Sequence, residues 1–249
     1  MPVSVSLLAV SGALRVASLD LCADEYLLLL ARPGEIASVS RVAQDPADSV
    51  LWRQARRYPA NQRGLESVVG THPNLLLTMS GGGRATRLIA GRLHIRTMTL
   101  SYPASIAEVE ANMVRVATAL GDARRAERWR RRLARLKANP LPQRDSIFLS
   151  GGGASVTAGS LGAQWMTLAG FRQRSLAGGR ATLETLATRP PQVLLRSTYR
   201  RQQPSLGQRW LDHPLARRSR ARTIDTDGRP WTCAGPLMVA EIERLRGLR

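Results

Sequence analysis

Short apolar segments alternate with patterns of helical period along most of the chain. The run Asn74–Thr78 is apolar on both faces, as expected of a buried parallel strand. Behind a capping box of Ser105 and Glu108, the segment up to Leu120 repeats apolar residues at the helical period. Further strands are predicted at Arg15–Leu19, Ile36–Val39, His94–Leu100, Ser146–Ser150, Gln192–Arg196 and Arg222–Ile224. Further helices are predicted at Asp20–Ala31, Leu65–Val69, Arg84–Arg92, Leu161–Ala169, Leu183–Thr188 and Leu237–Arg246. This alternation predicts an α/β fold with mostly parallel sheets covered by helices.

One predicted helix, Asp122–Ala138, separates two series of β-α units. Asp122 is a suitable N-cap because its carboxylate accepts from the free amides of the first turn. Asn139-Pro140 ends the helix because proline cannot continue the hydrogen-bond ladder. Arginine fills most positions outside a narrow apolar stripe, which consists of Ala126, Trp129, Leu133 and Leu136. At 1.5 Å per residue the helix reaches about 25 Å, enough to connect two lobes, although an ordinary solvated surface helix has the same pattern.

A short internal repeat supports the division into two lobes. Glu66 and Glu184 each lie on a short predicted helix, and each is followed seven residues later by a proline and then by a buried strand. The chain is therefore predicted to form two Rossmann-like lobes, at 15–120 and 140–249, joined by the helix at 121–139. Coincidence is the alternative explanation, because the repeat covers one unit and not a whole lobe.

Some segments between the predicted elements mark places where a ligand would approach. From Ser40 to Arg63 the hydrophobic pattern is lost, and a loop of this length is usually functional. Glycine runs follow two strands, at Gly81–Gly83 and Gly151–Gly153. Neither run has the spacing of a phosphate-binding loop, so both are predicted to be tight turns that let a ligand come close to the backbone.

The charge of the chain leaves two functional classes open. The sequence has 249 residues and a formal net charge of +19, and Lys137 is the only lysine among 37 basic residues. Such a charge suits nucleic acid, and an arginine-rich nucleic-acid-binding protein is the alternative function. However, the arginines are spread over the whole chain, and a codon-biased preference for arginine explains them equally well. No apolar run approaches the roughly 20 residues of a membrane span.

No group of residues predicts catalysis or a metal site. There is no nucleophile elbow, and neither Ser80 nor Ser150 has a histidine at a suggestive distance. The three histidines, His72, His94 and His213, are scattered. We therefore expect a binding protein that is not an enzyme and has no cofactor. The apolar start, residues 1–14, is interpreted as a truncated secretory signal without its basic leader, or else as a frayed strand.

An ordered set of segments resembles a known family. The segments are RVASLDLCADEYLLLLARPGEIASVS, LESVVGTHPNLLLT, SIAEVEANMVRVATALG, TAGSLGAQWMTLAGF, LETLATRPPQVLL and RPWTCAGP. Together they resemble the helical-backbone class of periplasmic solute-binding proteins of ABC importers, which take up vitamin B12, ferric siderophores and haem. The resemblance runs from about Arg15 to Leu245. It implies a monomeric periplasmic protein that captures a metal chelate between two lobes and delivers it to a permease in the inner membrane.

The resemblance also implies roles for individual residues. Glu66 and Glu184 match the two lobe-surface glutamates that dock onto arginines of the permease, although acids at helix N-termini are also favoured by the helix dipole. Ligand contacts are expected from loops at the strand ends, and the candidates are Asp24, Asp45, Met79, Gly82, Gly152, Arg229 and Trp231. Trp231 is the strongest candidate because an aromatic ring covers a flat chelate well, and packing under the last helix is its alternative. Arg84, Arg180 and Arg229 lie near these loops and suit an anionic chelate.

Two features depart from the family pattern. The aromatic residues that line a B12 cleft are not matched at the Met79 and Gly152 loops, which weakens the case for B12. Cys22 and Cys233 fall at the predicted cleft face, one in each lobe. A disulfide between them would pin the lobes together, so we expect reduced, packed cysteines, with a thiolate contact to a metal ligand as the alternative.

Overall fold

The computed structural model describes residues 13–79, 83–217 and 219–248. The N-terminal sheet comprises β1 (Val16–Ser18), β2 (Ile36–Ser40), β3 (Ala60–Asn61), β4 (Leu75–Thr78) and β5 (Arg96–Thr99), in the order β3-β2-β1-β4-β5. The C-terminal sheet comprises β6 (Arg144–Leu149), β7 (Phe171–Gln173), β8 (Val193–Ser197) and β9 (Arg222–Thr226), in the order β7-β6-β8-β9. Every strand pairing in both sheets is parallel.

Helices cover the sheets, as the β-α alternation predicts. They are α1 (Leu21–Leu30), α2 (Trp52–Ala55), α3 (Gly83–Arg92), α4 (Ile106–Ala119), α5 (Glu127–Ala138), α6 (Leu161–Leu168), α7 (Leu183–Thr188), α8 (Leu206–Leu211), α9 (Pro214–Arg217), α10 (Gly228–Cys233) and α11 (Met238–Arg246). The two parallel sheets with their helices confirm the predicted two-lobe α/β fold.

Strand β4 shows why a continuous apolar run forms a central strand. Leu75 and Leu77 belong to the large core cluster, whereas Leu76 belongs to a smaller cluster on the other face of the sheet. All three side chains are buried, and β4 pairs with β1 on one side and β5 on the other. Since neighbouring side chains of a strand point to opposite faces, only an all-apolar run can be buried on both.

The segment between the lobes differs in detail from the predicted single helix. Gly121 has a φ of +88°, and the Asp122 carboxylate accepts from the Arg124 amide. A 3-10 turn at Ala123–Ala126 then precedes the twelve residues of α5. The predicted apolar stripe of this segment is buried, whereas its arginines are not all solvated, because Arg125 pairs with Glu35 of the N-terminal lobe.

Helix α4 shares the connecting role with α5. Glu110 of α4 forms ion pairs with Arg130 and Lys137, which places the two helices side by side. Helix α4 contacts α1 in one lobe and α6 in the other, and α5 contacts α11. Arg132 of α5 also pairs with Glu243 of α11. The lobes are therefore held by two packed helices, while the predicted lobe boundaries themselves remain predictions.

Several described elements were absent from the sequence prediction, among them β3, β7, α10 and the short helices α2 and α9. Strands β3 and β7 have only two and three residues, too few to show a period of two. The segment 228–233 was predicted as a loop but forms helix α10, capped by Asp227. Pro230 is compatible with a helix here because it lies in the first turn, where no amide partner is needed. No helix in the part of the chain that the structure describes is long and apolar enough to span a membrane.

Candidate ligand cleft and lobe interface

A disulfide between Cys22 and Cys233 joins the two lobes, which corrects the expectation of reduced cysteines. Cys22 lies in the first turn of α1, and Cys233 is the last residue of α10. Their Cα atoms are 5.4 Å apart, although 211 residues separate them in the chain. The sequence prediction failed because nothing in the local pattern brings the start of α1 and the end of α10 together. The consequence foreseen for such a bond does apply: it pins the lobes at this point.

Two buried indoles hold the segment that follows Cys233. Trp165 of α6 donates from Nε1 to the Ala234 carbonyl at 2.8 Å, and Trp129 of α5 donates to the Pro236 carbonyl at 2.7 Å. Both tryptophans are at most 7% exposed. We call the Cys22–Cys233 disulfide, the segment Ala234–Leu237 and these two tryptophans the lobe junction. The junction is rigid because its backbone carbonyls are fixed from two different helices.

Buried carboxylates lie on the N-terminal side of the junction. Asp20 caps α1 by accepting from the Ala23 amide at 2.9 Å, and it also accepts from the Met79 amide at 2.7 Å. Asp24 accepts from the Ser40 amide at 3.1 Å and from its hydroxyl at 2.5 Å. Burial raises the pKa of Asp24 to about 8, because desolvation outweighs these hydrogen bonds.

Glu25 lies where the junction meets the C-terminal lobe. It is 3% exposed, and its Oε2 has no hydrogen-bond partner among the described residues. Burial and then the neighbouring Asp24 raise its pKa well above the ordinary range, while the Leu237 amide opposes them. A Cβ at Gly235 would lie 2.9 Å from Glu25 Oε2, so a larger residue there would require this carboxyl group to move. Burial thus favours the neutral form of Glu25 in the interface.

A polar contact joins the lobes at a second place. Asp48, in the loop after β2, accepts from Tyr199 Oη at 2.7 Å and from Arg200 Nη2 at 2.7 Å. Tyr199 and Arg200 follow β8 in the C-terminal lobe. Burial, followed by the hydrogen bond to Asp48, raises the pKa of Tyr199. We call Asp48, Tyr199 and Arg200 the lobe latch. Arg229 supports the latch by donating to the Pro46 carbonyl at 2.9 Å.

An arginine-lined cavity of about 890 Å³ lies beside the latch and is lined by residues from both lobes. Pro46 and Ala47 form its N-terminal side, and the ends of β8 and β9 form the other. Its guanidinium groups are those of Arg200, Arg201, Arg229 and Arg244, and each pairs with a carboxylate. Paired guanidinium groups are held in position and keep donors free for an anion.

A second cavity, of about 920 Å³, lies over the glycine turn after β6. Gly151, Gly152, Arg180 and Trp210 line it together with the starts of α7 and α8. Gly152 has a φ of +65°, and Arg180 donates from Nη2 to its carbonyl at 2.5 Å. At the next residue, Gly153, a Cβ would lie 2.4 Å from the Ala181 carbonyl oxygen. The turn therefore requires glycine, and this cavity is mostly apolar with one guanidinium group at its edge.

The structure places the sequence-predicted ligand contacts in different surroundings. Gly152 lines the apolar cavity and Arg229 lines the arginine-lined cavity. Asp45 is exposed in the loop before Pro46, where its Oδ1 accepts from the Ala47 amide at 2.7 Å. Met79 is 4% exposed. Gly82 lies outside the described residues.

Two predicted contacts are occupied by the protein itself. Asp24 is 1% exposed and faces β2, so in this conformation its carboxylate is not available to a ligand. Trp231 lies on α10, where its Nε1 donates to Thr226 Oγ1 at 2.8 Å and its ring lies 4.7 Å from that of Phe148. The indole is partly buried and packs against the large core cluster, and its role in ligand binding stays a prediction. Conversely, the sequence prediction did not include the latch residues, although loops that follow strands such as β2 and β8 are where ligand contacts are expected.

The two predicted docking glutamates occupy matching positions. Glu66 lies on a 3-10 helix between β3 and β4, and Glu184 lies on α7 between β7 and β8. Both side chains are exposed, and neither forms an ion pair with a residue in the described ranges. A Cβ at Gly64 would lie 1.9 Å from Glu66 Oε1, so in this conformation the carboxylate occupies the space that a larger residue at position 64 would need. Each lobe therefore presents an exposed glutamate at a matching position, without an ion-pair partner among the described residues.

The described ranges contain no group of three or more histidine, cysteine, aspartate or glutamate residues that could hold a metal ion. The polar chemistry of both cavities consists mainly of guanidinium groups, backbone carbonyls and glycine turns. Such a surface can bind anionic groups of a ligand, and an apolar wall beside it can cover a flat ring.

Comparisons with solved structures identify similar folds. A periplasmic heme-binding protein from Pseudomonas aeruginosa is 20% identical, with a TM-score of 0.68 over 94% of this chain and 91% of that chain. The periplasmic heme-binding protein HutB of Vibrio cholerae is 14% identical, with a TM-score of 0.70 over 95% and 99%. The periplasmic vitamin B12 binding protein BtuF of Vibrio cholerae is 15% identical, with a TM-score of 0.61 over 94% and 95%. No family model and no curated protein sequence matches the chain. The chain has the fold of the helical-backbone class of periplasmic binding proteins.

Proposed function

We propose that this protein is the solute-binding component of an ABC importer. It captures an anionic metal chelate (a ferric siderophore, haem or a corrinoid) between its lobes and delivers it to a permease in the inner membrane. The observation that carries this proposal is the fold, which matches periplasmic heme- and B12-binding proteins over nearly the whole chain. The binding step needs no chemistry, only a cleft of the right shape and charge.

The two cavities support an anionic ligand with an apolar body. Both lie where parallel strands end, which is where open α/β sheets bind their ligands. Arg180 at one cavity and Arg229 at the other are oriented by the Gly152 carbonyl and by Asp227. Carboxylates or catecholates of a chelate are natural partners for such groups.

The disulfide supports a periplasmic location. A bond between Cys22 and Cys233 persists in oxidising compartments and is rare in the reducing cytosol. Because the disulfide links the two lobes covalently, it also limits how far they separate near the junction. A ligand would then enter from the side of the latch, where the contacts between the lobes are polar and reversible.

The free carboxylates of Glu66 and Glu184 support delivery to a permease. In a chain of net charge +19, an exposed acid without a basic partner can attract a positively charged group of another molecule. The matching positions of these two glutamates, one in each lobe, suit a permease with two related halves. Docking through both at once would orient the cleft toward the entrance of the permease.

Ligand binding is tested by titrating the purified protein with haemin, cyanocobalamin and a ferric catecholate, followed by absorbance and calorimetry. One of the three should bind with one-to-one stoichiometry, and Arg229→Gln should weaken binding about tenfold because a charged hydrogen bond is lost. Arg209→Gln, an exposed arginine of α8 that lines neither cavity, is the matched control. Saturable binding of duplex DNA that falls steeply with salt, with no chelate bound, would favour the nucleic-acid alternative.

Docking is tested separately, in cells that depend on the importer. Glu66→Arg with Glu184→Arg should abolish uptake and leave chelate affinity unchanged, because neither glutamate lines either cavity. Glu127→Arg on α5 reverses another exposed carboxylate and should not affect uptake. Normal uptake by the double variant would contradict the docking role while leaving the ligand assignment intact.

A further inference from the structure

Helix α3 is the most exposed helix of the N-terminal lobe. Of its ten residues only Ala90 is buried. Leu88 is 60% exposed, Ile89 is 49% exposed, and Leu93, directly after the helix, is 45% exposed. These are three of the eight large apolar side chains that are exposed in the described ranges, and the other five lie apart from them along the chain. A cluster of this kind marks an interaction site more often than single exposed side chains do.

The three apolar side chains share one side of the helix. At about 100° per residue, Leu88, Ile89 and Leu93 fall within an arc of about 140°. Ala90 lies outside this arc and packs with Leu76 and Ile95 in the core beneath. Because the alanine side chain is small, α3 packs close to the sheet at this residue, and the larger apolar side chains remain exposed to solvent. The order of small and large apolar residues in the helix therefore determines the exposed arc.

Unpaired arginines lie on and beside this arc. On the same helical count Arg92 falls within the arc and Arg84 about 40° outside it, whereas Arg87 lies on the opposite side of the helix. These three arginines and Arg96 of β5 are all exposed, and none forms an ion pair with another described residue. The chain contains no aspartate or glutamate from residue 67 to residue 107. Around the arginine-lined cavity, by contrast, each guanidinium group has a carboxylate partner. The corner formed by α3 and β5 is thus one place where positive charge is not compensated.

We propose that the exposed face of α3 is a docking surface for an anionic lipid bilayer. We define this α3 surface as Arg84, Leu88, Ile89, Arg92 and Leu93. Apolar side chains framed by arginines are the composition of helices that lie in a membrane interface, where the aliphatic groups enter the acyl boundary and the cations meet lipid phosphates. A second copy of this chain is a poor partner because its net charge is also +19. Nucleic acid would satisfy the arginines but leave the aliphatic groups in water.

This docking would keep the protein at the membrane independently of any ligand or permease. Surface diffusion along a bilayer would then shorten the search for a permease partner. The proposal goes beyond the proposed transport function, because it concerns lipid alone and uses neither Glu66 nor Glu184.

The test is co-sedimentation of the purified full-length protein with vesicles. The vesicles consist of phosphatidylglycerol and phosphatidylcholine in equal amounts, or of phosphatidylcholine alone, near physiological ionic strength. We expect binding to the anionic vesicles only. Arg84→Gln with Arg92→Gln should weaken it about tenfold or more, since each arginine near an anionic surface contributes favourably. Leu88→Gln with Ile89→Gln should weaken it to a similar degree because aliphatic insertion is lost.

The matched control removes the same charge from another exposed helix. Arg128→Gln with Arg135→Gln on α5 leaves the apolar arc untouched and should change vesicle affinity by less than about twofold. All substituted side chains are exposed, so thermal unfolding should stay unchanged and report correct folding.

Several results would overturn the proposal. They are no binding of the unmodified protein to anionic vesicles, equal losses in the α3 and α5 arginine variants, or full binding by the Leu88 and Ile89 variant. Binding of duplex DNA that depends on the same α3 residues in place of lipid would assign the surface to nucleic acid. A concentration-dependent dimer that disappears with Leu88→Gln would assign it to a second copy.

Discussion

The lobe junction and the lobe latch join the same two lobes by different means. At the junction, a disulfide and two tryptophan hydrogen bonds hold buried backbone, and burial raises the pKa of the neighbouring Glu25. At the latch, ionic and phenolic hydrogen bonds meet at Asp48, which is itself only 7% exposed, whereas the Arg200 side chain is 43% exposed. The latch therefore reaches solvent through its arginine. Water replaces the Arg200 contact more readily than it replaces the bonds of the junction, one of which is covalent.

This difference assigns the two contacts different parts in any movement of the lobes. A covalent and buried contact acts as a fixed point, and an exposed polar contact opens and closes around it. The arginine-lined cavity lies beside the latch and receives residues from both lobes. Opening the latch would therefore enlarge that cavity without disturbing the core at the junction.

Removing the disulfide should have the largest effect on stability. Cys22→Ala with Cys233→Ala should lower the free energy of unfolding by about 2–5 kcal/mol, because the bond restricts a long segment of the unfolded chain. Chemical denaturation measures this change. The unmodified protein under reducing conditions should unfold at the same denaturant concentration as the variant. Equal stability of the oxidised and reduced proteins would remove the structural distinction between junction and latch.

The buried carboxylates beside the junction should make stability depend on pH. The pKa of Asp24 is about 8 in the folded protein, against about 3.9 for an exposed aspartate. Between these values the folded state binds more protons, so the free energy of unfolding should fall as the pH rises from about 4 to about 8. Asp24→Asn should reduce this slope by up to about 1.4 kcal/mol per pH unit, the effect of one proton.

Denaturation at a series of pH values measures this slope. Asp45→Asn is the control, since Asp45 is exposed in the loop after β2. Glu25 contributes in the same direction, because burial also raises its pKa, so some slope should persist in Asp24→Asn. A slope that is identical in Asp24→Asn and the unmodified protein would show that Asp24 is ionised when buried.

Breaking the latch should have the smallest effect on stability and a local effect on motion. Arg200→Gln removes the guanidinium group that reaches Asp48 across the interface, whereas Arg201→Gln removes one that pairs with Asp225 inside its own lobe. Hydrogen exchange of the amides in the loop 45–49 should accelerate in Arg200→Gln and not in Arg201→Gln. Equal exchange in both variants would mean that the loop is held by Arg229 alone.

Much of the fold could be predicted because its signals are local. Ser105 and Asp122 cap their helices as their positions indicate, and the apolar run of β4 forms a central strand. The candidate site was predicted only as a set of strand-end loops. Within that set, Gly152 and Arg229 line cavities, while Asp24 and Trp231 are used inside the protein. Residue type does not reveal whether a side chain at a strand end points outward or into the core.

The sequence by itself determined the α/β class, the two series of β-α units and the connecting segment. These follow from hydrophobic period, caps and breakers, which act over a few residues. Only the tertiary structure decided that Cys22 bonds to Cys233, that Asp48 pairs with Arg200 and that Glu25 packs against Gly235. These contacts join parts of the chain more than 150 residues apart. Their formation depends on how two complete lobes pack, and no local pattern encodes that arrangement.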